Sequence, residues 1–289
     1  MMKKFFIPSC FILLFVSSPA SIVNASDKSN GTIGRTRVVY KNAAEAMSAA
    51  QNNGQYLFLL FYDNRAKLYY DNSKELLKKM EIAIDDFRNK SSEKILFRKV
   101  LITDDKEKDT VSKYEIKSSR LPELLIFAPN GAVTGVFSKR VTIQNFTQSI
   151  VPELAMTILK SIQENKIALV LLQNSSTKFN NESSKASQEF ADDPRIKKGT
   201  VDIIKADPMD NMTKDFLVQI KVKKPISEST IILVVPPGSV AGIYSGTDTK
   251  ERLLGLLSSS SGESNSSGIG SACGTGSSCG FIGASCGCH

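Results

Sequence analysis

Four of the five cysteines and the only histidine stand together at the end of the sequence: Cys273, Cys279, Cys286, Cys288 and His289. Thiolate and imidazole are soft donors, and the Gly and Ser residues between them supply backbone freedom. One reading is therefore a site that wraps a soft cation, Zn(II) or Cu(I). A second reading pairs the four cysteines as two disulfides, which an even number permits in an oxidising compartment. A third makes Cys286-Gly287-Cys288 a redox pair that visits another part of the chain or another protein. Spacing alone does not choose among them. Structural zinc sites usually show two close pairs, and here only Cys286 and Cys288 are close. The ending Cys286-Gly287-Cys288-His289 also falls one residue short of a haem-attachment pattern.

Other catalytic constellations are hard to assemble. With His289 as the sole imidazole, a Ser-His-Asp or Cys-His arrangement inside a folded domain is excluded. The acidic pairs Asp85-Asp86, Asp104-Asp105 and Asp192-Asp193 are neighbours in sequence. Neighbours on a helix or strand point in different directions, so these pairs read as solvated surface or element ends. No residue is assigned a catalytic role or an organic cofactor.

The elements that must carry the cysteines begin after a segment read as a secretory signal, residues 1–25. It has Lys3 and Lys4, an apolar run from Phe5 to Val16, and a small-residue end at Val23-Asn24-Ala25. The apolar run is too short for a membrane-spanning helix, so an exported protein without a membrane span is expected, periplasmic or extracellular. Residues 26–160 carry 22 Lys and Arg against 16 Asp and Glu, and residues 161–289 carry 13 against 13. Acids are interspersed through the basic half, which leaves no continuous positive stripe, and there is no Trp; nucleic acid is not an expected partner. A protein partner is left open.

Two segments align without a gap: PELLIFAPNGAVTGVF at 122–137 and STIILVVPPGSVAGIY at 229–244. Pro129 falls on Pro236, Gly131 on Gly238 and Gly135 on Gly242. Each reads as apolar strand, tight turn and apolar strand, a β-hairpin. Upstream, strands are expected at 56–62 and 94–103 in the first half and at 167–173 and 199–206 in the second, with helical segments at 67–88 and 178–192 between them. An Ala-rich helix at 42–53 ending at Gly54, with a leading strand at 38–40, adds a front piece to the first half. Pro152 should break the helical stretch that follows the first hairpin. The expectation is an α/β protein: two domains, residues 26–160 and 161–257, each a mixed sheet flanked by helices, then a flexible Ser/Gly/Cys-rich tail over 258–289. The composition of that tail buries too little apolar surface to offset its ordering entropy.

The stretch Arg120-Leu121-Pro122-Glu123-Leu124-Leu125-Ile126-Phe127 with Pro129-Asn130-Gly131 resembles the thioredoxin-fold family, in which a cis-proline precedes an apolar strand and a tight turn. The resemblance covers residues 38–150, and more weakly 166–257. It implies that Pro122 is the cis-proline. It also implies a reactive CxxC just after the 56–62 strand, where the helix N-terminus lowers a thiol pKa. This sequence has Asp63, Asn64, Arg65 and Ala66 there, Asn174, Ser175, Ser176 and Thr177 in the second copy, and Ser229 in place of the second cis-proline. In this fold Arg65 and Arg120 would lie side by side and could form an anion site, or replace a lost active site on an unused surface. Function is therefore expected to be an exported, non-catalytic binding or scaffold protein whose Cys/His tail takes a soft metal. The alternative is a thiol-disulfide oxidoreductase, or redox relay, with its reactive cysteines in the tail.

Overall fold

The computed structural model describes residues 40–65, 73–138, 140–220, 222, 226–247 and 249–260. The signal segment, most of the leading-strand residues and the cysteine tail, with Cys273, Cys279, Cys286, Cys288 and His289, lie outside these. The chain divides into two compact units, parting between Val151 and Pro152.

In the first unit, helix α1 (Ala43–Asn52) is capped by the Asn42 side chain, which accepts from Glu45 N. Gly54 then turns the chain with φ +60°, a conformation that glycine adopts without a Cβ penalty. Strand β1 (Tyr56–Tyr62) reads YLFLLFY, and helix α2 spans Ser73–Lys90. Strand β2 (Ile95–Leu101), the short helix α3 (Lys108–Lys113), the hairpin β3 (Glu123–Phe127) with β4 (Val133–Ser138), and α4 (Ile143–Ser149) complete the unit. The sheet order is β2-β1-β3-β4. β1 runs parallel to β2 and antiparallel to β3. The central strand is continuously apolar because helices cover both of its faces. On one face α1 packs Ala43, Ala46 and Ala50 on Leu57, Leu59, Phe61, Leu125 and Phe127. On the other, the rings of Phe58, Phe87 and Phe146 meet at 5.3–6.2 Å between centroids.

The second unit repeats this order with helix α5 (Glu153–Gln163), β5 (Ile167–Leu172), α6 (Asn180–Ala191), β6 (Val201–Ala206), α7 (Asn211–Gln219), the hairpin β7 (Thr230–Val235) with β8 (Ser239–Ser245), and α8 (Lys250–Ser260). Its sheet order is β6-β5-β7-β8, again with a parallel first pair and an antiparallel hairpin. One face is filled by Leu154, Ile158 and Ile162 of α5 with Phe216 and Leu217 of α7. Phe190 of α6 and Leu253 of α8 fill the other.

The aligned glycines of the two hairpins share a cause. A Cβ at Gly135 would lie 2.5 Å from Ser149 Oγ, and one at Gly242 would lie 2.6 Å from Leu256 Cδ1, so in both units a side chain of the closing helix lies over the glycine and would have to shift to admit a Cβ. Two of the boundaries that differ from expectation have a cause in tertiary contacts. The apolar stripe of α5 faces β5, which brings residues 152–160 into the second unit rather than the first. Helix α6 starts at Asn180 rather than 178, because Lys178 bridges to Glu228 and Phe179 turns left-handed at φ 63°.

Candidate functional site at the ends of the central strands

In each unit, the end of the central strand and the residues leading into the hairpin come together at the same end of the sheet. In the first unit β1 gives way to Asp63, whose Oδ1 accepts from Arg65 N at 2.8 Å and Arg65 Nε at 3.3 Å, while Oδ2 accepts from Nη2 at 3.2 Å. The acid is nearly buried and the guanidinium exposed. Burial works to raise the Asp63 carboxyl, but the hydrogen bonds and charge of Arg65 outweigh it and hold the group below its usual range.

Across the strand pair, Phe61 is in register with Glu123, the first residue of β3. The Leu121–Pro122 peptide bond preceding it is cis. Alternation along β3 puts Glu123 on the face of Leu125 and Phe127, and it is 1% exposed. Its Oε1 pairs with Arg120 Nε at 3.4 Å, an ion pair too long to be a good hydrogen bond, and its Oε2 has no hydrogen-bond partner. Burial raises the Glu123 carboxyl, with the charges of Arg120 and Lys117 working against that rise. Arg120 also donates from Nη2 to Glu115 O at 2.9 Å. Arg65 is thus paired with Asp63 of its own loop, and Arg120 lies against Glu123 at the start of β3.

The second unit closes the same place with mostly neutral groups and one carboxylate, Asp207. Asn174 Oδ1 accepts from Ser176 N at 2.9 Å and Thr177 N at 3.2 Å, and its amide donates to Asp207 Oδ1 at 2.8 Å. The side chain thereby stands in for a backbone turn. Thr177 Oγ1 accepts from Asn174 N at 2.9 Å and lies 2.7 Å from Asn180 Oδ1. Lys178 N then donates to Ser227 O at 3.1 Å, and Ser229 N donates to Lys178 O at 2.8 Å. This short parallel bridge stitches the loop after β5 to the entry of β7. Ser229 is fully buried, and its Oγ has no partner. The cis bond of this unit is displaced into the hairpin turn, at Pro236–Pro237.

Among the described residues no group of three or more His, Cys, Asp or Glu is placed to hold a metal ion. The metal ligands expected from sequence, Cys273, Cys279, Cys286, Cys288 and His289, lie outside the described residues. Sequence reading missed the buried Glu123 and the Lys178–Glu228 bridge. The signal for Glu123 is an acid in strand register with two large apolar residues two and four positions on; the bridge is long-range and leaves no local signal.

The chain matches no family profile and no curated protein. Among solved structures it is similar to the first two thioredoxin domains of Saccharomyces cerevisiae Eps1p, at 14% identity over 74% of this chain and 95% of that one, with a TM-score of 0.29. It is also similar to human ERp44 in a zinc-bound form, at 15% identity over 75% of this chain and 57% of that one, TM-score 0.30. A third is the first two thioredoxin domains of Naumovozyma dairenensis Eps1p, at 11% identity over 76% of this chain and 96% of that one, TM-score 0.27. No helix of the described residues is long and apolar enough to cross a membrane. The strand order, the parallel first pair, the closing hairpin and the helices on both faces make each of the two units a thioredoxin-like fold.

Proposed function

We propose that the chain is an exported, non-catalytic thioredoxin-fold protein that binds or scaffolds a partner, and that its C-terminal Cys/His cluster takes a soft metal ion, Zn(II) or Cu(I). The observation that carries this reading is the chemistry of positions 63–66 and 174–177. These are Asp-Asn-Arg-Ala and Asn-Ser-Ser-Thr, so no thiol stands where this fold would use one. A nucleophilic dithiol needs a thiolate stabilised by a helix start or a nearby cation. Here the first position is spent on the Asp63–Arg65 pair and the second on a hydrogen-bonded turn. Sulfur after residue 25 is confined, methionine aside, to residues 273–288, among Ser and Gly, a setting suited to wrapping a cation with His289 as a further donor.

The test is insulin reduction by the full chain and by a chain ending at residue 257, alongside metal content of protein purified without oxidation. The proposal expects no turnover from either form and about one equivalent of metal in the full chain only. Turnover that depends on Cys286 and Cys288 would replace it with a thiol-disulfide oxidoreductase.

A further inference from the structure

The first unit carries a cavity of about 380 Å³ between α2 and the residues that enter α4. That volume lies in the range of small-ligand sites. Its apolar wall is Leu76, Met80 and Val141, of which Met80 is 1% exposed and the other two half-buried. Its exposed rim is Glu75, Lys79 and Arg140.

The rim charges are unequal in their commitments. Lys79 Nζ sits 2.6 Å from Glu75 Oε1, one helical turn away, so these two neutralise each other. Among the described residues Arg140 has no acidic partner; it is exposed and lines the cavity, and its backbone N donates to Ser138 O. Lys74 and Lys78 on the exposed side of α2 add to the positive field. A cation entering here would meet Arg140 with like charge. A neutral apolar molecule would gain only the wall. An apolar chain that ends in an anion uses both features, because a guanidinium takes a carboxylate through two parallel hydrogen bonds.

We propose that this cavity binds a small monocarboxylate with an apolar chain, the chain lying on Leu76, Met80 and Val141 and the carboxylate on the Arg140 guanidinium. The site is separate from the strand-end loops and from the cysteine cluster, and it stands whether or not the metal reading does. Calorimetric titration of the full chain with octanoate tests it, with acetate, octanol and octylamine as comparison ligands and Arg140→Gln as the variant. Arg140 is exposed in a connecting segment, so the variant keeps the core, and circular dichroism verifies this. Octanoate should bind saturably, each comparison ligand should bind about tenfold or more weakly, and Arg140→Gln should lower octanoate affinity by about tenfold or more. Absence of saturation, octanol binding as well as octanoate, acetate binding as well as octanoate, or unchanged affinity in the variant would each overturn the assignment.

Discussion

The same corner of the same fold is built twice in this chain, and the two versions use different physics. At the end of β1 the first unit spends ions: Asp63 with Arg65, and Arg120 with a buried Glu123. At the end of β5 the second unit spends amides, hydroxyls and backbone: Asn174, Thr177, and the bridge between Lys178 and Glu228. Neutral hydrogen bonds keep their worth across pH and salt, whereas ion pairs and buried acids do not. The second corner should therefore be the more robust one near neutral pH, where its one carboxylate, Asp207, stays ionised because hydrogen bonds from Met209 N and the Asn174 amide hold it below its usual range. The first holds a carboxylate oxygen without a partner, which leaves it sensitive to protonation.

The largest effect that would break the contrast lies in the second unit. Asn174→Ala leaves the Ser176 and Thr177 amides and the Asp207 carboxylate without their shared partner. It should cost that unit about 2 kcal/mol, read as faster hydrogen exchange of the β5 and β7 amides with the β1 and β3 amides unchanged.

Glu123→Gln comes next, and its sign depends on pH. The folded carboxyl titrates above the ordinary Glu value of 4.5, because burial favours the neutral acid. The stability that the protonated form contributes is complete below the ordinary value and is lost as pH rises through the raised one. Glu123→Gln should remove that loss, stabilising the first unit by about 1 kcal/mol at neutral pH and changing little in acid. The second unit has the opposite sense. Asp193 is held well below the usual range by hydrogen bonds from the Arg195 side chain and backbone and from Lys250, so its contribution is present above the ordinary Asp value and lost on acidification through the lowered one. Hydrogen exchange followed from acid to neutral pH, corrected for intrinsic rates, should show these opposed trends in β3 and β7.

Smaller still is Asp63→Asn. Arg65 is mostly exposed, so the loss should stay below about 1 kcal/mol and largely vanish near 1 M salt, where denaturant midpoints of variant and parent should converge. Smallest is Ser229→Ala. Removing a buried hydroxyl that has no partner should leave stability within about 0.5 kcal/mol of the parent, and a clear destabilisation would mean the hydroxyl is bonded.

Much of the architecture can be read from residue order because local chemistry dictates it. Pro129 and Gly131 sit in the first hairpin turn, Gly54 ends α1, and Pro152 separates α4 from α5. The front helix, all eight strands and the hairpin repeat follow from runs and turns of this kind. What escapes such a reading depends on partners distant in the chain. An amphipathic helix does not say which sheet its stripe will meet, so from sequence α5 falls on the wrong side of the boundary. The pairing of Arg65 with Asp63 and of Arg120 with Glu123 is not visible in the sequence, where both acids read as ordinary polar residues. Lys178 looks helical because the bridge that holds it extended joins residues fifty positions apart.

The central claim is that sulfur chemistry belongs to the Cys/His cluster and takes the form of metal binding. Native mass spectrometry of the chain purified without oxidation tests it most directly. The account predicts one Zn(II) or Cu(I) bound with all four cysteines reduced, and loss of that metal when Cys286 and Cys288 are replaced by Ser. A metal-free chain carrying two disulfides would contradict it.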